Sequence, residues 1–170
     1  MKRPLTDEEW FELHCKTKSA TEALSDLLNF FESIYGKNSR QTKLTKSINF
    51  DNRYEFCTNV DYFSCVAYPL NVNELPRYPD IKIIKIMLPD YNPTTYYSKT
   101  KPLKKSLTDE EKTVVNNRLE IVKEFIEHTM YMMNNVICTY NLKNYELYFE
   151  KINKYGKKIM KKLDTIRSLL

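Results

Sequence analysis

Residues 53–68 read Arg53-Tyr54-Glu55-Phe56-Cys57-Thr58-Asn59-Val60-Asp61-Tyr62-Phe63-Ser64-Cys65-Val66-Ala67-Tyr68. The run is rich in aromatic and β-branched side chains, which suit a pleated, half-buried surface. Asn59 stands near its middle, where a turn is expected. The composition therefore predicts two strands, 53–58 and 62–68, paired as an antiparallel hairpin. A third strand is expected at 81–88, Ile81-Lys82-Ile83-Ile84-Lys85-Ile86-Met87-Leu88, bounded by Pro79 and Pro89. Five of the seven prolines fall between Pro69 and Pro93, which excludes a long helix there.

On both sides of this strand-rich middle stands the same five-residue string, Leu5-Thr6-Asp7-Glu8-Glu9 and Leu107-Thr108-Asp109-Glu110-Glu111. Each has the form of a helix start. The threonine can accept from the amide three residues on, and the glutamate there can reach back to the threonine's own amide. The acidic side chains also suit the positive end of the helix dipole. The likeness ends with these residues, so common capping chemistry explains it better than duplication.

The first string opens a helix over 7–35, with Trp10, Leu13, Thr17, Ala20, Leu24, Leu27, Phe31 and Ile34 at alternating spacings of three and four. Leu5 and Trp10 stand where a hydrophobic staple would pair them. Ser19 and Glu22 offer a second capping box that would divide the helix, and Gly36 supplies its stop. The polar, basic residues 37–50 read as an exposed loop. After a Tyr/Pro/Lys linker over 90–107, the second string opens a helix over 109–140. Its stripe of Val115, Leu119, Val122, Ile126, Met130, Met133, Ile137 and Tyr140 is widened by Ile121, Phe125, Met132 and Val136. A last helix is expected over 144–168, carrying Tyr145, Phe149, Ile152, Ile159, Leu163 and Ile166. The expected class is α+β and mostly helical: one domain of three long amphipathic helices, with a small antiparallel sheet inserted between the first and second.

At 170 residues, with 42% hydrophobic and 29% charged side chains, the composition is that of a folded globular chain. No secretory signal or membrane span is read, so an intracellular protein is expected. Two glycines leave no material for a phosphate-cradling loop, which argues against the common nucleotide-dependent enzymes. Abundant Lys, Asn, Ile and Tyr point to an AT-rich coding genome, such as that of a virus, a parasite or a low-GC bacterium. Cys15, Cys57, Cys65 and Cys138 form no close pair, and with His14 and His128 they lack metal-ligand spacing. Adjacent His14 and Cys15 point about 100° apart on a helix. His128 could meet Cys65 only if the fold brought them together. Glu120, Glu124 and Glu127 form a carboxylate edge that reads as a solvated face. No catalytic residue, metal or cofactor is expected.

Charge is the remaining signal. Residues 1–36 hold four basic and seven acidic side chains, 37–53 five and one, 54–98 three and five, 99–105 four and none, 106–142 three and six, 143–170 eight and three. If consecutive helices pack antiparallel, the end of the last helix returns to the start of the second. The end of the first would join them if it too runs antiparallel to the second. Lys37, Arg40, Lys43 and Lys46 would then approach Lys99, Lys101, Lys104 and Lys105, and both groups would approach Lys157, Lys158, Lys161 and Lys162. Such an end suits a polyanion, and Tyr96 and Tyr97 could stack on unpaired bases. Met130, Met132 and Met133 make an adaptable cluster, better suited to core packing but able to serve a groove for a partner helix. The expected function is a non-enzymatic protein-interaction or structural role, with self-association through the helices; the alternative is a nucleic-acid-binding accessory protein.

Overall fold

A computed structural model describes residues 6–67, 106–135 and 142–170. Its helices are α1 (Asp7–Tyr35), α2 (Arg40–Lys46), a π-helical segment (Ser47–Asn52), α3 (Arg53–Ala67), α4 (Asp109–Asn134) and α5 (Leu142–Ser168). Among the described residues there is no strand, so the α+β expectation is corrected: these residues form an all-helical fold. The expected hairpin at 53–58 and 62–68 is helix α3 as far as Ala67, where the described residues end, and the expected strand at 81–88 lies outside them.

Burial explains the correction. Phe56, Cys57 and Val60 are inaccessible to solvent, Arg53 and Asn59 nearly so, while Tyr54 is 55% exposed. A strand would place Tyr54 and Phe56 on one face. The observed spacing of three and four belongs to a helix wedged into a core. Aromatic and β-branched composition expresses a preference for packing, which tertiary contacts here satisfy in helical form.

The expected loop at 37–50 is corrected as well. Gly36 ends α1 at φ 85°, a left-handed region that favours glycine, and its amide donates to Glu32 O. Ser39 then starts a new helix by accepting from the Thr42 amide at 3.1 Å. From Arg40 to Ala67 the backbone stays helical, widened to π geometry over Ser47–Asn52.

Both expected capping boxes form. Thr6 Oγ1 accepts from Glu9 N and Glu9 Oε2 accepts from Thr6 N; Thr108 and Glu111 repeat the exchange. The break considered near Ser19 does not occur. Thr17, Thr21 and Ser25 donate to the carbonyls four residues back, so their buried hydroxyls are satisfied without interrupting α1. Helix α4 reaches Asn134, and residues 136–140 of the longer expectation lie outside the described residues.

Cross-helix contacts fix the directions. His128 faces Glu12, and Arg118 Nε is 3.3 Å from Asp26 Oδ2, so α4 runs antiparallel to α1. Arg167 Nη2 meets Glu120 Oε2 at 3.1 Å, and Met130 packs at Gly156, so α5 runs antiparallel to α4. Phe56 also packs at Gly156 and Lys162 reaches Asn52, so α3 is antiparallel to α5. Helices α1 and α5 therefore point one way, α3 and α4 the other. Phe31, Phe56, Phe125, Leu119, Ile126, Met133, Ile159 and Ile166 fill the common core. The rings of Phe56 and Phe125 meet edge to face, 5.8 Å between centroids, a geometry worth about 1 kcal/mol beyond burial.

Candidate functional site

These directions bring the end of α1 and the starts of α2 and α4 to the end of α5. An open groove of about 610 Å³ marks the meeting, lined by Tyr35, Ser39, Gln41, Ser106, Leu107, Lys112, Leu169 and Leu170. Beside it, α2 and the π segment lie along the last turns of α5, with Gln41 near Leu169 and Ser47 at Lys162.

The outer face of α5 carries a dense run of basic side chains. Residues 151–162 read Lys151-Ile152-Asn153-Lys154-Tyr155-Gly156-Lys157-Lys158-Ile159-Met160-Lys161-Lys162, six lysines with no carboxylate. Ile152, Gly156 and Ile159 face the core. At 100° per residue the lysines are carried onto the opposite side, and Lys151, Lys154, Lys157, Lys158 and Lys161 are exposed. The ammonium groups of Lys154 and Lys158 lie 5.6 and 5.4 Å from the centroid of the Tyr155 ring. This contact packs two cations on one half-buried phenol.

Lys162 sits at the edge of the face and does different work. Its ammonium donates to Asn52 Oδ1 at 2.6 Å and to Ser47 Oγ, tying α5 to the π segment. Helix α2, which leads into that segment and packs on α5, exposes Arg40 and Lys43. Lys46 turns inward instead: its Nζ is 2.9 Å from Oε1 of Glu32, whose side chain is only 1% exposed. Lys37 is exposed in the α1–α2 turn.

The charge is polarised between the helices. Helix α1 carries seven acidic and two basic side chains and α4 six and three, whereas α2 carries three basic and no acidic, and α5 eight and three. Helix α1 packs chiefly on α4, and α5 chiefly on α3.

Among the expected site residues, Lys157, Lys158 and Lys161 share a face with Lys151 and Lys154, which the reading of the sequence omitted. Their spacing of three and four was the available signal. Lys99, Lys101, Lys104, Lys105, Tyr96 and Tyr97 lie outside the described residues. Met132 and Met133 are buried, and Met130 is half-buried against α5 at Gly156. His128 faces Glu12 across α1, its Nε2 3.6 Å from Oε1. Glu120 pairs with Arg167. No group of three or more His, Cys, Asp or Glu among the described residues could hold a metal ion. No described helix is long and apolar enough to cross a membrane.

Compared with protein-family models, curated proteins and solved structures, the chain matches none.

Proposed function

We propose that this protein is a non-enzymatic binding protein that engages the phosphate backbone of nucleic acid through the lysine face of α5 and the adjoining Arg40 and Lys43 of α2. The observation that carries the reading is the run of six lysines without a carboxylate over 151–162, five of them exposed on one helix face. Each lysine that neutralises a phosphate releases condensed counterion, so affinity accumulates along such a face. A specific protein interface is a poorer fit, because lysine is depleted in interface cores and no aromatic anchor is exposed among these lysines.

The test is anisotropy of a labelled mixed-sequence nucleic acid, offered as duplex and as single strand, at low and moderate salt. Binding that weakens steeply with salt is expected, and it should be lost in a Lys157→Glu/Lys158→Glu/Lys161→Glu variant whose circular dichroism is unchanged. Glu124→Gln, on the acidic helix α4, should bind as the parent does. Failure to bind either form, or binding indifferent to the triple variant, overturns the reading.

A second reading, contact with another protein or a second copy, draws on the opposite end of the bundle. There Phe11 is 68% and Tyr131 66% exposed, on helices joined by the Glu12–His128 contact. Sedimentation of Phe11→Ser/Tyr131→Ser against the parent tests self-association at that end. A larger species in the parent that is lost in the variant supports it, and a monomer in both removes it.

A further inference from the structure

Resting on the nucleic-acid reading above, we infer that the preferred partner is a duplex, held along its phosphate backbones without reading of the bases. Proteins that favour single strands combine a basic track with aromatic platforms, since each stacked base contributes about 1–3 kcal/mol. The lysine face has no such platform. Its one aromatic side chain, Tyr155, is half-buried beneath the ammonium groups of Lys154 and Lys158. Tyr54 and Phe50 are exposed, but neither is on α5: Tyr54 is two residues from Phe56, which packs at Gly156 of α5, and so projects from the other side of α3, and Phe50 stands on the π segment.

With stacking removed, charge density decides, and a duplex presents one phosphate charge per about 1.7 Å of axis. The lysine array is shaped for two rows of phosphate. From Lys151 to Lys161 the helix rises about 15 Å, and the five exposed lysines fan over about 120° of its circumference. A single flexible strand would leave much of that fan unused.

The α5 face has few means to read sequence. Its exposed side chains are lysines, which can reach a guanine edge but offer no rigid two-donor fork, and no exposed Asn, Gln or Arg stands among Lys151–Lys161; the interface's one arginine, Arg40, is on α2. Asn153 is half-buried. The array is also carried on a helix whose apolar stripe is committed to the bundle core, so that stripe is not available to enter a lipid surface as interfacial helices do.

The experiment uses the full chain and three probes: a labelled duplex of about 20 base pairs, two turns long, each of its component strands, and vesicles containing phosphatidylserine. The duplex is expected to bind on the order of tenfold more tightly than either strand at equal salt, and a duplex of shuffled sequence should bind equally well. Its log affinity should fall against log salt with a slope of about −4.5 when all five exposed lysines of α5 contact phosphate and about −6.3 when Arg40 and Lys43 join them, reduced by about 0.9 for each lysine replaced by glutamine. Single strands binding as tightly as the duplex overturn the duplex assignment and leave the nucleic-acid reading standing. A strong preference for one duplex sequence overturns the claim that bases are not read. No binding to duplex or strands, with or without capture by the vesicles, overturns both.

Discussion

Lys162 of α5 donates to Asn52 Oδ1 at 2.6 Å and, from the same ammonium group, to Ser47 Oγ. The two acceptors are five residues apart. On an α-helix that spacing separates side chains by about 140° around the axis. The π geometry of Ser47–Asn52 closes its hydrogen bonds at i→i+5 and sets the two nearly above one another. The widened turn is thus what allows one lysine to hold both acceptors. We expect Lys162→Met to cost about 1–3 kcal/mol, because Asn52 is left buried with its acceptor unmade. Lys161→Met, its exposed neighbour, should stay within about 0.5 kcal/mol of the parent. Urea unfolding of the two variants measures the difference, and equal midpoints would refute this role for Lys162.

Glu32 and Lys46 give a second, sharper test. The Glu32 carboxylate is buried in the bundle, and neither of its oxygens has an aligned hydrogen bond. The pair is therefore held by charge, with Lys46 about one-third exposed. Lys46→Met leaves that carboxylate without its cation and should cost about 3 kcal/mol. Adding Glu32→Gln to Lys46→Met should restore much of the loss, since a neutral amide costs less to bury than an uncompensated charge. A double-mutant cycle in urea reports the coupling. If the double variant is as unstable as the sum of the singles, the pair does not act as a unit.

The frame of three long helices and two of its starts could be read from residue types alone. Thr6/Glu9 and Thr108/Glu111 cap through contacts three residues apart, so nothing distant was needed to form them. The stripes of α1, α4 and α5 were equally legible as heptad-like spacing. The middle was misread because the aromatic and β-branched side chains of 53–67 satisfy a strand's composition as well as a buried helix's needs. The absence of any Gly or Pro between Lys37 and Tyr68 was the contrary signal. A two-residue hairpin turn favours Asn-Gly or a similar pair, and Asn59-Val60 is not one. The lysine face was half legible: its members share helical spacing, but the diversion of Lys162 and Lys46 to internal partners depends on Ser47, Asn52 and Glu32 arriving from other helices.

At Gly156 of α5, side chains of α3 and α4 approach the backbone closely. A Cβ there would lie 2.7 Å from Met130 Sδ, 3.3 Å from Phe56 Cε2 and 3.4 Å from Ile126 Cγ2. A glycine inside a helix costs up to about 1 kcal/mol relative to alanine, a cost offset here by the close approach. Gly156→Val should destabilise by about 1–3 kcal/mol through overpacking. Gly156→Ala should cost less in a Met130→Ala background, where the nearest atom is gone, than in the parent. Thermal unfolding of the two single alanine variants and their combination measures that difference, and a Gly156→Val protein as stable as the parent would show that the helices can separate freely.

Tyr35 supplies a pH dependence with a definite sign. Burial, and secondarily the nearby Glu111 carboxylate, raise its phenol above the ordinary value of 10.0. Both disfavour the phenolate in the folded chain. Below pH 10 the phenol is protonated in folded and unfolded chains alike, so it makes no difference to stability there. As pH rises through 10 the unfolded chain loses this proton first, and the folded state is progressively destabilised until its own phenol ionises. Tyr35→Phe abolishes that contribution. Relative to its own stability at pH 9, the variant should lose less than the parent by pH 11. Urea unfolding at the two pH values measures both losses. Equal losses would mean that Tyr35 ionises alike in the folded and unfolded chains, and that Glu111 exerts no field on it.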